Sequence, residues 1–467
     1  MNRVLKNFFS TSVANIIGQL IGFLCITYYT GILMKHNYGM ITYAQQYVLY
    51  FTTIVLFGIQ TVGTKLVVQK DKSYDDLVSE LSSFRLIIAT IGFIVCTLLS
   101  FFISADRRFP PILIIWSLIY IPTAYNFDWF FAGIQDMKHN AVYNLFKTVV
   151  PAIIIFIFVR QKTDIYIVPT AMVIGVLLGA IYYLIILKMK NIKVKIKINK
   201  ELFKKYFFMG LPFLLSGLLS MVNGNIDKVI LGSNALEYSN LGIYQAAYNF
   251  VNFIVTFIGV IFLTLFPYIV KSHSEGPEKI KSTLKVVMEI VLAMAIPISI
   301  GGFLLADKII GFFYTSEFTK AAVPFRILMF YIFIFSIREV YAYSLNAFGL
   351  EKKYLKIVAV SASLNFIFNM ILIPKYSYLA AAYITGITEI VNFIYMRKNI
   401  RKIAKFNDFK VVIKILIPSL IMGAFIVVSR NYINNLFIII ILAMIVYAVQ
   451  LLIFKVLNIK EIKNELQ

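Results

Sequence analysis

The sequence predicts an all-α polytopic membrane protein with about fourteen membrane-spanning helices. Of its 467 residues, 60% are hydrophobic and only 14% are charged, and the apolar residues fall into runs long enough to cross a bilayer. An ordinary soluble domain is about 45–50% apolar and about 25% charged. This chain therefore has too few polar residues to cover its own surface in water.

The positive charge has to be explained within a membrane. The formal net charge is +23, from 45 Lys and Arg against 22 Asp and Glu. Such a surplus in a soluble protein would suggest a nucleic-acid partner, but the apolar composition excludes that class. Cys25 and Cys96 lie in apolar runs and are predicted to be inert core thiols, while the three histidines are scattered in hydrophilic turns. We predict no disulfide framework, no metal site and no catalytic centre.

The individual spans are located by apolar runs between charged, proline or glycine breaks. A crossing needs roughly 20 apolar residues. Pro122, Pro212, Pro297 and Pro324 lie inside spans and predict kinks. The predicted spans are 9–33, 39–63, 83–104, 110–133, 141–159, 165–187, 207–232, 240–270, 285–306, 321–347, 355–374, 377–396, 411–429 and 435–455.

Lys and Arg in the connections set the predicted orientation, because cytoplasmic loops are enriched in them. With the N-terminus inside, 32 of the 45 basic residues fall in inside segments, nine in outside segments and four within spans. An even number of spans then puts both termini in the cytoplasm. The outside connections are all short, so no loop is large enough to fold an active site, and we predict that the chain is not an enzyme.

Two pairs of motifs recur about half a chain apart. Asn37-Tyr38-Gly39 opens span two and Asn240-Leu241-Gly242 opens span eight, while Ala132-Gly133 and Phe348-Gly349 close spans four and ten. A six-span unit repeated in parallel topology predicts two pseudo-symmetric six-helix bundles around a cleft, which is a transporter geometry. The predicted division is 1–190 for the N-terminal lobe, 191–206 for a basic cytoplasmic linker, 207–397 for the C-terminal lobe and 398–467 for two additional helices.

The predicted linker has a regular pattern of its own. Lys193, Lys195 and Lys197 alternate with apolar residues. This pattern is typical of a surface strand or of a ribbon lying on anionic lipid headgroups. Positive-inside topology alone would also explain the lysines.

Ionisable residues inside spans are costly and usually face a cavity or a partner. The basic ones form a ladder across predicted spans five, seven and ten, which would suit an anionic lipid headgroup crossing a region of low dielectric constant. We predict four cavity cations that bind substrate: Lys147, Lys228, Arg326 and Arg338. Four carboxylates are candidates for coupling or gating: Asp128, Asp227, Glu339 and Glu389.

A structural role is the alternative for each of these groups. Lys147 could pair with Asp128, and Arg338 with Glu389. The neighbours Arg338 and Glu339 point about 100° apart on a helix, so we do not expect them to pair with each other.

The predicted depth of two of the cations allows another role for them, at the membrane interface. Lys228 and Arg326 lie toward the outer side, where long basic side chains can extend to the interface. Amides within spans, such as Asn365 and Asn369, are expected to form interhelical hydrogen bonds.

Several stretches resemble the polysaccharide flippases (Wzx-type) of the multidrug/oligosaccharidyl-lipid/polysaccharide exporter superfamily. The resemblance covers about spans one to twelve. This sequence departs from the family pattern at Ala132, where relatives often carry Gln, and at Ser377, where Gly is common. The resembling stretches are Lys6-Asn7-Phe8 through Asn37-Tyr38-Gly39 and Ala44-Gln45, residues 129–138, residues 227–232, residues 242–248, and Asn346 through residues 371–376 to Glu389.

The resemblance implies two MATE-like lobes and a transporter that works by alternating access. Its substrate would be an undecaprenyl-pyrophosphate-linked oligosaccharide, flipped across the bacterial cytoplasmic membrane for O-antigen, capsule or exopolysaccharide synthesis. Lys147, Lys228 and Arg338 would contact pyrophosphate or acidic sugar. The resemblance implies no bound cofactor, H⁺ or Na⁺ as the coupling ion, and anionic lipids, a polysaccharide polymerase and a chain-length regulator as partners.

Other functions remain open at this point. A cation-coupled multidrug exporter would need a cavity that favours carboxylates, and four of the eight predicted site residues here are cations. A flippase for a peptidoglycan precursor or for teichoic or teichuronic acid would share most of the same features. A membrane enzyme would need a large outer loop or an exposed acidic pair, and the sequence predicts neither.

Overall fold

The computed structural model describes residues 3–233 and 238–456, with the backbone alone for residues 3–17. The described residues form helices joined by short connections and contain no strand, which confirms the predicted all-α class. The side chains of Lys6-Asn7-Phe8, and Lys460 and Lys463 of the inside segments, lie outside the described residues. Cys25 and Cys96 are free and buried, as predicted.

Tertiary contacts divide the chain into two compact units, Met1–Gly242 and Ile243–Gln467. The first unit contains α1 (Arg3–Leu56), α2 (Ile59–Gln69), α3 (Tyr74–Ile103), α4 (Phe109–Ser117), α5 (Tyr120–Ala124), α6 (Asp128–Gly133), α7 (Lys138–Phe158), α8 (Ile167–Met189) and α9 (Lys200–Gly232). Helix α10 (Tyr238–Glu275) starts at its end, and the second unit continues with α11 (Pro277–Leu304), α12 (Ala306–Phe313), α13 (Ala322–Ala347), α14 (Glu351–Ile400), α15 (Asp408–Ser429) and α16 (Leu436–Ile453).

Eleven helical stretches among the described residues are long and apolar enough to cross a membrane. Gly18–Gln69 has 52 residues and Glu351–Ile400 has 50, each far more than one crossing requires. Each contains a non-helical residue, Met34 or Ser377, where two predicted spans meet. The predicted span 110–133 is interrupted into α4, α5 and α6. The count of fourteen therefore stays a prediction.

Polar caps determine where several helices begin. The Ser73 hydroxyl accepts a hydrogen bond from the Asp76 amide at 3.2 Å, and two acidic residues occupy the first turn of α3. Both features satisfy the unpaired amides and the positive end of the helix. Helix α3 therefore begins at Tyr74, nine residues before the predicted span.

The predicted basic linker lies along α3. Ser79 Oγ accepts from the Lys195 amide at 2.9 Å, and Ser83 Oγ accepts from the Lys197 amide at 2.8 Å. Ile192 and Val194 pack on the core of the first unit. The segment is held to helix side chains by its backbone and is not part of a sheet.

Helix α9 packs against α1, α2 and α3. The contact boundary accordingly falls at Gly242, whereas the predicted first lobe ends at residue 190.

The repeated glycines meet at a close backbone contact inside the first unit. A Cβ on Gly39 would lie 1.7 Å from the Tyr238 carbonyl oxygen, and one on Gly242 would lie 2.1 Å from the Lys35 carbonyl oxygen. Only residues without a side chain fit there. The Tyr238 hydroxyl at the start of α10 donates a hydrogen bond to Ser104 Oγ, just after α3, at 2.7 Å.

The two C-terminal helices are integral to the second unit. Helix α15 packs along α11 and against α16. The Tyr447 hydroxyl on α16 donates to the Ala293 carbonyl on α11 at 2.8 Å. Their shared core contains Leu305, Met422, Ile426, Leu436 and Ile439.

Candidate functional site

Three of the eight predicted site residues form one buried cluster in the second unit. Arg338 on α13 donates from Nε and Nη2 to the two carboxylate oxygens of Glu389 on α14, at 2.7 and 3.1 Å. Its Nη1 donates to Glu339 at 2.7 Å. The pairing of Arg338 with Glu389 is thus confirmed. The expectation that Arg338 and Glu339 do not pair is wrong, because the long arginine side chain bridges the angle between them.

The cluster around Arg338 has a formal charge of −1. Its guanidinium lies over the Phe335 ring, with 4.7 Å between Cζ and the ring centroid. Asn392, one turn after Glu389, is buried, and its Oδ1 accepts no hydrogen bond in the described part of the chain. Two carboxylates sharing one arginine could take up a proton or a small cation, because an uncompensated buried charge is costly.

Amides beside this cluster link the two halves of α14. Asn365 Nδ2 donates to Thr388 Oγ1 at 3.3 Å, and Asn369 Nδ2 donates to Asn365 Oδ1 at 2.8 Å. All three residues are buried. The predicted interhelical hydrogen bond is confirmed, and it joins the segments on either side of Ser377.

A second polar cluster lies in the first unit, around Arg85. Arg85 is completely buried and donates from Nη1 to the Asn126 carbonyl at 2.7 Å. Its Nε and Nη2 have no hydrogen-bond acceptor among the described residues. Asp128 interacts electrostatically with both Arg85 and Lys147 and accepts from the Trp129 amide at 2.7 Å.

The sequence reasoning missed Arg85, since it assigned that residue to the inside charges. The Ser73 cap was the signal that could have located it. A helix starting at Tyr74 carries Arg85 three turns inward.

Lys147 occupies the middle of α7 and is exposed. It forms no ion pair within 4 Å in the described regions, so the predicted Lys147–Asp128 contact is not made. At 100° per residue, Asn140 and Asn144 lie within about 60° of it, whereas Phe156 lies about 180° away. The face around Lys147 thus carries two amides in its N-terminal half, and the opposite face is apolar.

Lys228 is also in the first unit, on α9. It is buried, and its Nζ donates to Asn225 Oδ1 at 2.9 Å. The adjacent Asp227 is equally buried, and one of its carboxylate oxygens accepts from the Lys228 amide at 2.9 Å.

Arg326 is in a different setting from the other three cations. It lies in the second turn of α13 and forms an ion pair with Asp307 of α12, an exposed residue. The position fits a side chain that reaches an interface. Lys147 and Lys228 lie in the first unit, and Arg326 and Arg338 lie in the second unit.

Comparison with known proteins gives two family matches. The family model "Polysaccharide biosynthesis protein" matches residues 4–273, and the family model "Lipid II flippase MurJ" matches residues 145–448. Each match covers more than half of the chain. A relative from Haloferax volcanii, "Probable low-salt glycan biosynthesis flippase Agl15", is 26% identical over 36% of this chain and 36% of its own length. The chain spans less than two thirds of the length of the curated relatives it matches.

Solved structures share the fold. "Lipid II flippase MurJ, inward closed conformation" superposes with a TM-score of 0.76 at 17% identity, over 95% of this chain and 97% of the other. A multidrug resistance MATE family transporter of the MOP superfamily, inward-facing, has a TM-score of 0.60 at 13% identity, over 82% and 95%. The chain belongs to the polysaccharide biosynthesis protein family, matches the lipid II flippase MurJ family model over most of its length, and shares its fold with the MurJ and MATE structures.

Proposed function

We propose that this protein flips a polyprenyl-pyrophosphate-linked oligosaccharide across the cytoplasmic membrane, by alternating access, for surface polysaccharide synthesis. The family match and the flippase relative support a lipid-linked glycan as the substrate. The substrate has a long apolar tail that can stay in the bilayer. Its pyrophosphate and sugars must cross the low-dielectric interior, so the path has to supply polar and positively charged groups.

The observation that carries this proposal is the position of Lys147. A charged lysine in the middle of a membrane helix costs several kcal/mol if it faces lipid. Lys147 is exposed there, with Asn144 beside it on the same face. A water-filled path along that face of α7 resolves the cost, and an ammonium lining such a path attracts pyrophosphate.

The neighbouring charges give the path a second function. Asp128 lies near both Lys147 and Arg85, so a proton or Na⁺ arriving at its carboxylate strengthens the positive field around the phosphate groups. Departure of the ion weakens that field. Coupling to an ion gradient would then change affinity for pyrophosphate between the two faces of the membrane.

Lys147→Gln is the sharpest test, because Lys147 is exposed and makes no ion pair with any side chain that the structure describes. The full chain would be reconstituted in proteoliposomes with a polyprenyl-pyrophosphate oligosaccharide, and flipping would be followed as loss of lectin accessibility. We expect the rate to fall about tenfold or more, the usual value of a hydrogen bond to a charged group.

Lys205→Gln is the matched control, since Lys205 is an exposed lysine at the start of α9. It should flip at the wild-type rate. Wild-type flipping by the Lys147→Gln protein would refute the proposal. Arg338→Ala is a poorer test, because it would leave two carboxylates unpaired.

A peptidoglycan precursor is the second candidate substrate. The match to the lipid II flippase family over residues 145–448 favours it. Both substrates carry pyrophosphate on a polyprenyl tail, so Lys147 would serve either one. Supplying lipid II in place of the oligosaccharide, in the same proteoliposomes, distinguishes them by which substrate is flipped faster.

A further inference from the structure

A basic cavity of about 560 Å³ lies in the second unit, between the first turns of α11 and α15. We use "basic cavity" for the space lined by Lys281 and Lys285 of α11 and Lys410 and Lys414 of α15. None of the eight predicted site residues lines it. Positive-inside topology accounts for lysines near this end of the helices, but not for their convergence from two helices on one cavity.

The charges in the basic cavity are arranged by depth. Glu289 is 1% exposed, and its Oε1 lies 3.3 Å from Lys414 Nζ. Nearer the solvent, Lys281 pairs with the exposed Glu278 at 3.3 Å. Four lysines against two glutamates leave a formal surplus of +2.

The direction of helices α11 and α15 adds to the positive charge of the basic cavity. Both α11 and α15 begin at the cavity, and the N-terminal end of a helix carries a partial positive charge. A neighbouring cavity shares Phe406 and Asn407 and adds Arg401 and Lys405. Helix N-termini beside lysines form a binding site for anions such as phosphate.

An apolar cavity follows farther along the same two helices. It has a volume of about 480 Å³ and is lined by Ile296 and Phe303 of α11, Leu420 of α15 and Phe330 of α13. Ile296 lies seven residues beyond Glu289, about 10 Å along the helix. The two cavities share one stripe of α11 but are lined by different faces of α15, so they are separate spaces.

We propose that the basic cavity binds the phosphate headgroup of an anionic glycerophospholipid, whose acyl chains stay in the bilayer beside it. Basic pockets between membrane helices bind such headgroups, and each lysine near the surface contributes to the attraction. The bound lipid holds α15 against α11. Inorganic phosphate could occupy the basic cavity but has no acyl chains, and this difference distinguishes the two sources of phosphate.

The test uses the purified full chain in detergent and the exposed lysines Lys281 and Lys410. Unfolding temperature is titrated with phosphatidylglycerol, phosphatidylcholine and inorganic phosphate, and bound lipid is counted by native mass spectrometry. We expect stabilisation by phosphatidylglycerol alone. In Lys281→Gln/Lys410→Gln the half-saturating concentration should rise about tenfold or more, since two lysine contributions are lost.

Lys352→Gln/Lys353→Gln removes the same charge from exposed lysines in the first turn of α14 and should leave the titration unchanged. Lys281→Arg/Lys410→Arg should restore binding. If the two glutamine double variants raise the half-saturating concentration equally, general surface charge accounts for lipid binding and the proposal is overturned. Equal stabilisation by phosphatidylcholine, or by inorganic phosphate alone, would also overturn it. The assay reads lipid binding and not flipping, so its failure would leave the proposed function standing.

Discussion

At the scale of single residues, burial determines what a charge can do. Arg338 is held by two carboxylates in a buried site, whereas Lys147 is exposed in the middle of its helix. Removing one partner of a buried pair leaves an uncompensated charge, which is far more costly than losing an exposed pair. Both cations are predicted cavity residues in the sequence, Arg338 the more strongly because of its depth, and the structure separates a charge network from an accessible cation.

Arg338→Met should lower the free energy of unfolding by about 3–5 kcal/mol, because Glu389 and Glu339 lose their shared partner. Adding Glu389→Leu should recover part of this loss, giving a coupling energy of about 1–3 kcal/mol. Denaturant unfolding of the detergent-solubilised protein measures both. Arg326→Met is the control, and its exposed pair with Asp307 should cost at most about 1 kcal/mol. Strict additivity of the Arg338 and Glu389 changes would contradict the cluster.

The candidate site shows what sequence can and cannot provide at this scale. Arg338 and Glu389 are identifiable because charges in apolar runs are conspicuous. The sequence also allows them to pair with each other, as they do in the structure. Arg85 was missed because it lies at the edge of an apolar run, and hydropathy does not show how deeply a helix end is buried. The Arg338–Glu339 pair was missed because an angle between helix positions ignores side-chain length.

At the scale of helices, breaks are positioned by single residues. Met34 and Ser377 both have positive φ, 65° and 52°, inside otherwise helical stretches. Both breaks fall where hydropathy separated two predicted spans. The interruption of residues 109–133 into three short helices was not predicted beyond a kink at Pro122, because apolar composition is the same in a straight helix and a broken one.

Ser377 gives a physical reason for the glycine that is common at this position in the resembling flippases. A residue with a Cβ at φ 52° and ψ −137° is strained by roughly 1–3 kcal/mol, and glycine is not. Ser377→Gly should therefore be at least as stable as the wild type, and Ser377→Val should be destabilised by at least about 1 kcal/mol. Thermal unfolding in detergent measures the order. A more stable valine variant would show that the break is not required.

At the scale of the whole molecule, orientation follows from charge counting and remains a prediction. The buried Cys25 and Cys96 make a direct test possible, since native thiols that are 3% and 1% exposed should give little background. Exposed lysines provide sites on both predicted sides, Lys193 inside and Lys320 outside.

We expect a membrane-impermeant maleimide to label Lys320→Cys in intact spheroplasts. Lys193→Cys should react only after lysis, because positive-inside enrichment puts that segment in the cytoplasm. The unsubstituted chain is the control for background. The reverse labelling pattern would invert the predicted topology.

The contacts that hold the last two helices suggest that the chain does not have to be continuous between α14 and α15. Arg397 at the end of α14 pairs through both Nε and Nη2 with Asp408 at the start of α15, and Tyr341 donates to the same carboxylate at 2.6 Å. Helix α15 is further held by the α11 seam and the Leu305–Ile439 core. The peptide between residues 401 and 407 therefore contributes little to holding the helices together. We expect a protein cut there, or expressed as two polypeptides, to reassemble into the same second unit.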